Sequence, residues 1–502
     1  MRQRHPSINT AESRRKRALC WQLHMKRRNP FRFRKHTARH NLLLRETRVE
    51  DLMAEHPPVR ESGGLSVPLR YYCTAGKGME QFLAEEVHLK LSASDVHYVS
   101  GKVFFTTSAD IQKVVGLKSA ERLFLLLKRE APLSDTWSAG QAARVVQERI
   151  IGEHQAWSSA LQWWQNLRQA LGEVEADQNT IRRGQKRKWF EGEGPLPLAP
   201  PPGVLEGERH LAGAPASEEG EVTSTQKPVV TFRVCCRCSG TVARKLGSQD
   251  LGRLIGTAIS RQLRWKVELR EPKVEVNVHL TDDHCVIGMP ILRLPLAQRC
   301  YIRTTGLRST VAWAMASLAD IKPGSLVLDP MCGVGTVLLE AGKEYQGSFF
   351  LGMDIDPSQL EKASENIRFA ELSNSIELLQ SSVTAIPSPS CSVEAVVCDV
   401  PFGRKFSSRV EAAALLPAAV KEMGRVLRPG GTLVLLLSPQ LSILLDSILS
   451  PSPTADCLGN QPGGDPRPLP SLQLSATYRV GLGATDGLIH KYRKMPQCDT
   501  RT

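Results

Sequence analysis

Leu326-Val327-Leu328-Asp329-Pro330-Met331-Cys332-Gly333-Val334-Gly335-Thr336 decides the fold. Leu326 to Leu328 are apolar on both faces, as a buried parallel strand requires. Asp329 ends that strand. Gly333 and Gly335 let the backbone take positive φ and pass close to a ligand. Thr336 opens a helix through Lys343. Strand, glycine turn and helix in this order place a ligand at the carboxyl end of the strand. Neither G-x-G-x-x-G nor G-K-[ST] is present, and an acid before the glycines repels a phosphate. The turn suits a cationic, phosphate-free ligand such as S-adenosylmethionine. Read alone, the motif is weak, because glycine turns close many strands for structural reasons.

The downstream chain extends the pattern. Ser348 to Met353 is a second apolar run ending at Asp354, near the ~20-residue spacing at which an acid meets a ribose. A carboxylate there accepts from both ribose hydroxyls. Pro357 starts a helix to about Phe369, and strand Ser375–Gln380 follows. Val393–Cys398 is a fourth strand, ending in Asp399-Val400-Pro401-Phe402-Gly403. A helix to Leu427, the turn Arg428-Pro429-Gly430-Gly431 and strand Thr432–Leu437 complete the run. Strands alternating with helices predict an α/β, doubly wound sheet.

These motifs, in this order, resemble the class I methyltransferases that modify guanosine N2 in RNA. Phe232-Arg233-Val234 through Arg237-Cys238-Ser239-Gly240 resembles the THUMP RNA-binding domain. Arg70 to Gly78 and Ser100-Gly101-Lys102-Val103-Phe104-Phe105 resemble its α+β ferredoxin-like companion. The resemblance covers residues 70–190 and 226–495 with gaps. It implies a ferredoxin-like domain over 67–150 and a THUMP domain over 151–295, while lack of periodicity reads 1–66 as a basic tail without fixed structure and Pro, Gly, Glu and Ala richness reads 191–228 as an unstructured insertion. A methyltransferase domain spans 296–495. The cofactor is then S-adenosylmethionine, held by Asp329, Gly333, Gly335, Thr336, Asp354, Ile355, Ser382 and Asp399. Ser382 stands where the superfamily usually has an acid for the adenine amine, so cofactor affinity is expected to be modest.

The implied chemistry sits in Asp399-Val400-Pro401-Phe402. Methyl transfer is an in-line displacement, so positioning dominates. An exocyclic amine is a poor nucleophile because its lone pair is delocalised into the ring. Asp399 and the Val400 carbonyl supply acceptors, Pro401 fixes the loop, and Phe402 stacks on a base that has left its helix. The substrate is a small structured RNA, transfer or small nuclear RNA. Adenine N6 methylation and a catalytically silent RNA-binding protein are the rival readings.

The 502 residues carry a net charge of +14. Residues 1–50 hold 15 Lys or Arg and 3 Asp or Glu, so +12 of that charge lies in the tail. Arg14 to Arg17 and Lys26 to Arg28 fit a nuclear import signal or a nucleic-acid arm, and an Arg-rich start also fits a mitochondrial presequence. Nucleus is favoured over cytoplasm. No apolar core of a secretory signal and no membrane span is read. Twelve cysteines suit a reducing compartment. Cys235-Cys236-Arg237-Cys238 lacks a second pair at zinc spacing, so buried strand cysteines are expected and no metal.

Residues 229–275 hold 10 Lys or Arg against 4 Asp or Glu. Ser248 is read as a helix cap. Leu251, Leu254, Ile255, Ala258 and Ile259 form an apolar stripe, with Arg253 and Arg264 opposite and Arg261 at its border. Together with Arg233 and Arg237 they are the expected phosphate contacts. Trp157, Trp163 and Trp164 are read as packing residues, since 157, 160, 161 and 164 share a helix face. Lastly, the third strand of such a sheet is an edge. Ile376 and Leu378 are expected to leave it apolar and open. The resemblance supplies an occupant, the small zinc-ribbon activator subunit shared by several RNA methyltransferases, and hence a heterodimer.

Overall fold

Two sheets carry the chain, and alternation of side chains builds the first. The computed structural model describes residues 67–132, 141–172, 229–245, 247–401, 409–449, 472–483 and 485–496. The expected tail 1–66, the insertion 191–228 and Phe402 lie outside them. Strands β1 (Leu69–Thr74), β2 (Ser94–Val99), β3 (Lys102–Thr107), β4 (Arg122–Glu130), β5 (Thr231–Cys238), β6 (Lys266–Val267), β7 (Val274–Leu280) and β8 (Cys285–Pro290) form one sheet. Their order is β2-β3-β1-β4-β8-β7-β5-β6. Tyr71, Val103, Phe105, Leu125, Val276 and Ile287 point to one side, as period two requires, into a core shared with helices Glu80–Leu91, His154–Ala170 and Ser248–Leu263. Stretches read as two units meet in the middle: β4 pairs antiparallel with β8, Phe124 opposite Pro290 and Glu130 opposite Cys285.

The apolar stripe of helix Ser248–Leu263 is in place, with Leu251, Ile255 and Ile259 buried. Ser248 is not the cap. Gly247 holds that position, and the Ser248 hydroxyl instead accepts from the Cys238 N–H at 3.1 Å. Trp157 and Trp164 are buried, donating to the carbonyls of Ile151 and Pro290, whereas Trp163 is exposed. Among the described residues no helix is long and apolar enough to cross a membrane.

The second sheet holds β9 (Leu326–Asp329), β10 (Phe349–Asp354), β11 (Ile376–Gln380), β12 (Val393–Asp399), β13 (Leu427–Leu437), β14 (Leu472–Gly481) and β15 (Asp486–Lys494). The order is β11-β10-β9-β12-β13-β15-β14, parallel through β13 and closed by the antiparallel hairpin β14–β15. Strand order reverses between β9 and β12, which opens a crevice at their carboxyl ends. β11 is the outermost strand, as expected. Its Ile376 is nonetheless buried and its Leu378 half-buried, both inside the core between sheet and helices; Glu377 and Leu379 are the exposed ones. Being at a sheet's edge concerns the backbone. Side chains still alternate between faces, so Ile376 and Leu378 are not available to a partner.

The sheets are locked together. Met79 and Phe82 leave the first and enter the core of the second, Phe82 lying 4.9 Å from the Tyr478 ring. Gly78 has φ +81°, and a Cβ there would stand 1.8 Å from the Arg479 carbonyl oxygen. The Gly481 N–H donates to the Lys77 carbonyl at 2.8 Å. Below this contact Arg299 is buried, its Nε 2.9 Å from Glu340 Oε1 and its Nη1 donating to the Leu296 carbonyl. The Tyr301 hydroxyl completes the Glu340 carboxylate at 3.0 Å.

Candidate active site

Asp329 closes β9 at 1% exposure, and one oxygen accepts from the Met331 N–H at 3.2 Å. The chain then turns through Gly333 (φ +53°) and Gly335 (φ +82°) into helix Thr336–Glu344. A Cβ on Gly333 would meet nothing within 4 Å, so this turn fronts open space. Asp354 ends β10 and braces the turn. Its Oδ2 accepts from the Gly333 N–H and its Oδ1 from the Asp356 N–H, each at 2.9 Å. Carboxylate oxygens have two lone pairs each, so capacity for ribose hydroxyls remains. Ile355, next in sequence, is 71% exposed, an apolar side chain held beside the crevice. The Ser382 hydroxyl is partly spent on Thr384, 2.9 Å from its Oγ1 and accepting its N–H at 3.3 Å. Thr336 faces inward, its Oγ1 accepting from the Gly306 N–H at 3.1 Å.

Asp399 ends β12 beside β9. Among the described residues nothing donates to its carboxylate, and burial pushes its pKa up to about 7. Asp329 is raised well above the usual carboxylate range, first by burial and then by the charges of Asp399 and Asp354, against the Met331 N–H. Three acids thus converge, and among the described residues no cation pairs with them. Val400 is buried and donates to the Leu436 carbonyl at 3.2 Å, which fixes the strand end; Pro401 is half-buried.

Asn366 was not read from the sequence. It is wholly buried in helix Pro357–Phe369. Its Oδ1 accepts from the N–H groups of Arg303 and Thr304 at 3.0 Å, and its Nδ2 donates to the carbonyls of Thr304 (2.8 Å) and Val334 (2.9 Å). One side chain ties the segment ahead of the first helix to the glycine turn. The available signal was its place on the stripe of Ala363, Ile367 and Ala370, where a polar residue needs partners.

The expected phosphate contacts fare unequally. Arg237, Arg253, Arg261 and Arg264 are exposed. Arg253 lies 3.3 Å from Asp250, and Arg264 caps the helix end at φ +59° rather than standing on its outer face. Arg233 is already neutralised, its Nη2 2.6 Å and Nε 3.2 Å from Glu275 Oε2. The Cys236 and Cys238 sulfurs lie 3.6 Å apart on the half-buried side of β5.

Comparison with known proteins agrees with this geometry. The profile of the RMKL-like methyltransferase domain matches residues 297–447, and that of the THUMP domain matches residues 217–289. The U6 snRNA (guanine-N(2))-methyltransferase THUMPD2 of Bos taurus is 40% identical over 487 residues, covering 86% of this chain and 96% of that protein. The tRNA (guanine(6)-N(2))-methyltransferase THUMP3 of Bos taurus is 25% identical over 438 residues, covering 78% and 85%. The crystal structure of TrmN from Thermus thermophilus superposes with TM-score 0.57 at 21% identity, over 85% of this chain and all of that one, and shares the fold.

Proposed function

We propose a reaction for this chain starting from its family: the chain belongs to the THUMP-domain RNA guanine-N2 methyltransferases. It is an S-adenosylmethionine-dependent enzyme that methylates the N2 amine of a guanosine in a small structured RNA. U6 small nuclear RNA is the substrate we favour over transfer RNA, since the relative named for U6 is 40% identical and the one named for transfer RNA 25%.

The cofactor supplies a methyl group on a sulfonium cation. The crevice fits such a cation because the charges of Asp399 and Asp354 raise the proton affinity of Asp329, because nothing among the described residues donates to Asp399, and because Gly333 fronts open space. Asp354 and the turn orient it, Ile355 offers an apolar wall, and Asn366 holds the segment 303–304 against the turn. Asp399 accepts from the exocyclic N–H, which localises the nitrogen lone pair. As the N–C bond forms and the S–C bond breaks, the proton passes to its carboxylate. A pKa about 7 suits that exchange near neutral pH. The carbonyl of Val400 takes the second N–H, and Phe402 is assigned the stacking role.

The raised carboxyl of Asp399 at the crevice, to which nothing among the described residues donates, carries this reading. Nucleoside mass spectrometry after incubation with cofactor and transcribed U6 RNA tests it, with N2-methylguanosine expected. N6-methyladenosine would establish the adenine chemistry instead, and bound but unmodified RNA a silent binder.

We also propose a nuclear location, supported by a U6-directed relative and the basic tail, and checked by imaging the tagged chain. The zinc-ribbon activator subunit remains our proposed partner on the backbone of outermost β11. Replacing exposed Leu379 with Pro should break its copurification, whereas changes at Ile376 or Leu378 would damage the enzyme's own core.

A further inference from the structure

The eight-stranded sheet has a second face, opposite its helices, that the reading above does not use. Tyr72, Phe104, Phe124 and Val286 form a separate small core there, with the Tyr72 and Phe124 rings stacked at 4.6 Å. Strand alternation puts Lys102, His279 and Arg237 on this same face, with Arg237 opposite His279 in the β5–β7 register. The Arg129 guanidinium lies 4.5 Å from the centre of the Phe104 ring. Lys102 is 6% exposed, and its ammonium has one polar neighbour among the described residues, His284 Nε2 at 3.3 Å.

No carboxylate among the described residues forms an ion pair with Lys102, Arg129 or Arg237. Arg233, four residues before Arg237 on the same strand face, shows what an ordinary solution looks like: it has Glu275 at 2.6 Å. Asp283 is an acid close to the cluster, beside His284. His279 and His284 are both pushed down to about 4, by burial first and then by Lys102. Buried charge is normally paired. Here the buried Lys102 ammonium, the exposed guanidinium groups of Arg129 and Arg237 and the neutral imidazoles of His279 and His284 converge across β3, β4, β5, β7 and the β7–β8 turn, and among the described residues no anion pairs with the three cations.

We propose that Lys102, Arg237, His279 and His284 form a phosphate subsite that holds the RNA backbone on the strand face of this sheet. Arg129 continues it along β4. The proposal rests on the reading of this chain as an RNA enzyme and moves the main backbone contact away from helix Ser248–Leu263. Spread over three strands, the cations match successive phosphates of a strand better than one small anion.

The test uses the full chain, a transcribed U6 small nuclear RNA, and the variants Lys102→Met and Arg237→Gln. Binding is titrated across salt concentrations, thermal unfolding is followed with and without inorganic phosphate, and methylation by the wild type is run alongside. Lys102→Met removes an unpaired buried charge and keeps the stem's volume, so it should melt at or above the wild-type temperature. Each variant should bind RNA about tenfold more weakly at moderate salt, with the slope of log affinity against log salt reduced by ~0.7–0.9 per lost phosphate contact. Unchanged affinity and slope in both variants overturn the subsite while wild-type methylation stands. If phosphate raises the melting temperature of the wild type alone, with RNA affinity unchanged in the variants, the site takes a free anion and the RNA assignment falls. A wild type that binds RNA but makes no N2-methylguanosine sinks the functional reading and spares the subsite, provided the variants lose affinity. A wild type that binds no RNA sinks both.

Discussion

The crevice of the parallel sheet and the strand face of the mixed sheet are electrostatic opposites. In the first, Asp329, Asp354 and Asp399 converge, with no cation paired to them among the described residues. In the second, Lys102, Arg129 and Arg237 converge, with no anion paired to them among the described residues. Each leaves a buried ionisable group, Asp329 in the first and Lys102 in the second, without an ion pair among the described residues, and both lie beside a buried apolar core. The difference teaches that the sign left uncompensated names the missing ligand: a sulfonium for the acids, a phosphodiester for the cations. Changes in one region should therefore leave the other's ligand untouched.

The largest effect should come from Asp399→Ala. Single-turnover methylation should fall by ~10²–10⁴-fold, the range for a positioned general base, with RNA affinity unchanged. An equal loss of RNA affinity would merge the two regions into one site.

Asp399→Asn sharpens the comparison through stability. The folded pKa, about 7, lies above the ordinary carboxylate value of 3.8, so the folded state keeps a proton that the unfolded chain has lost. Wild-type stability then declines as pH rises from about 4 to about 7 and stays low above. The Asn variant escapes this and should be more stable at pH 8, with a ceiling of about 4 kcal/mol at roughly 1.4 kcal/mol per tenfold change in proton affinity. The gain should vanish near pH 4. Denaturant titrations at both pH values check it, and an Asn variant less stable than wild type at pH 8 contradicts the unpaired carboxylate.

Asp354→Ala should cost ~1.5–3 kcal/mol of cofactor binding by calorimetry, the worth of hydrogen bonds to a charged group, and nothing in RNA binding. Smallest should be Arg253→Gln. Its guanidinium already faces Asp250 on an exposed helix, so RNA affinity should change less than threefold, or ~0.6 kcal/mol. A larger loss would return the backbone contact to that helix.

The two regions also differ in how much of them could be read beforehand. The parallel sheet is legible because each strand runs straight into its own turn: Asp329 into the glycines, Asp354 into Pro357, Asp399 into Pro401. The chemistry and the local pattern occupy the same residues. The mixed sheet depends on β4 meeting β8, with Phe124 opposite Pro290, a pairing between distant segments that no local pattern announces. Its cation cluster draws on three strands from distant segments, so only Arg237 was anticipated. The misplacement of Ile376 and Leu378 is of another kind. Their alternation with Glu377 already marked them as one buried face, and edge position was mistaken for exposure. Arg233 looked like its neighbour Arg237 until Glu275 arrived from β7, the strand beside it in space but 42 residues away along the chain.

The contact at Gly78 has a consequence for how this protein varies and how it can be cut. With a Cβ at 78 overlapping the Arg479 carbonyl, the two positions lie too close to drift independently, and any side chain at 78 must be matched by a displaced hairpin. Met79 and Phe82 fill a slot in the other sheet's core, so a fragment beginning at 296 would carry an unfilled greasy socket beside its own Tyr478. The chain reads as a string of modules, yet its catalytic half is not one that can be transplanted. Grafts onto another RNA-binding scaffold must bring the 76–82 segment with them.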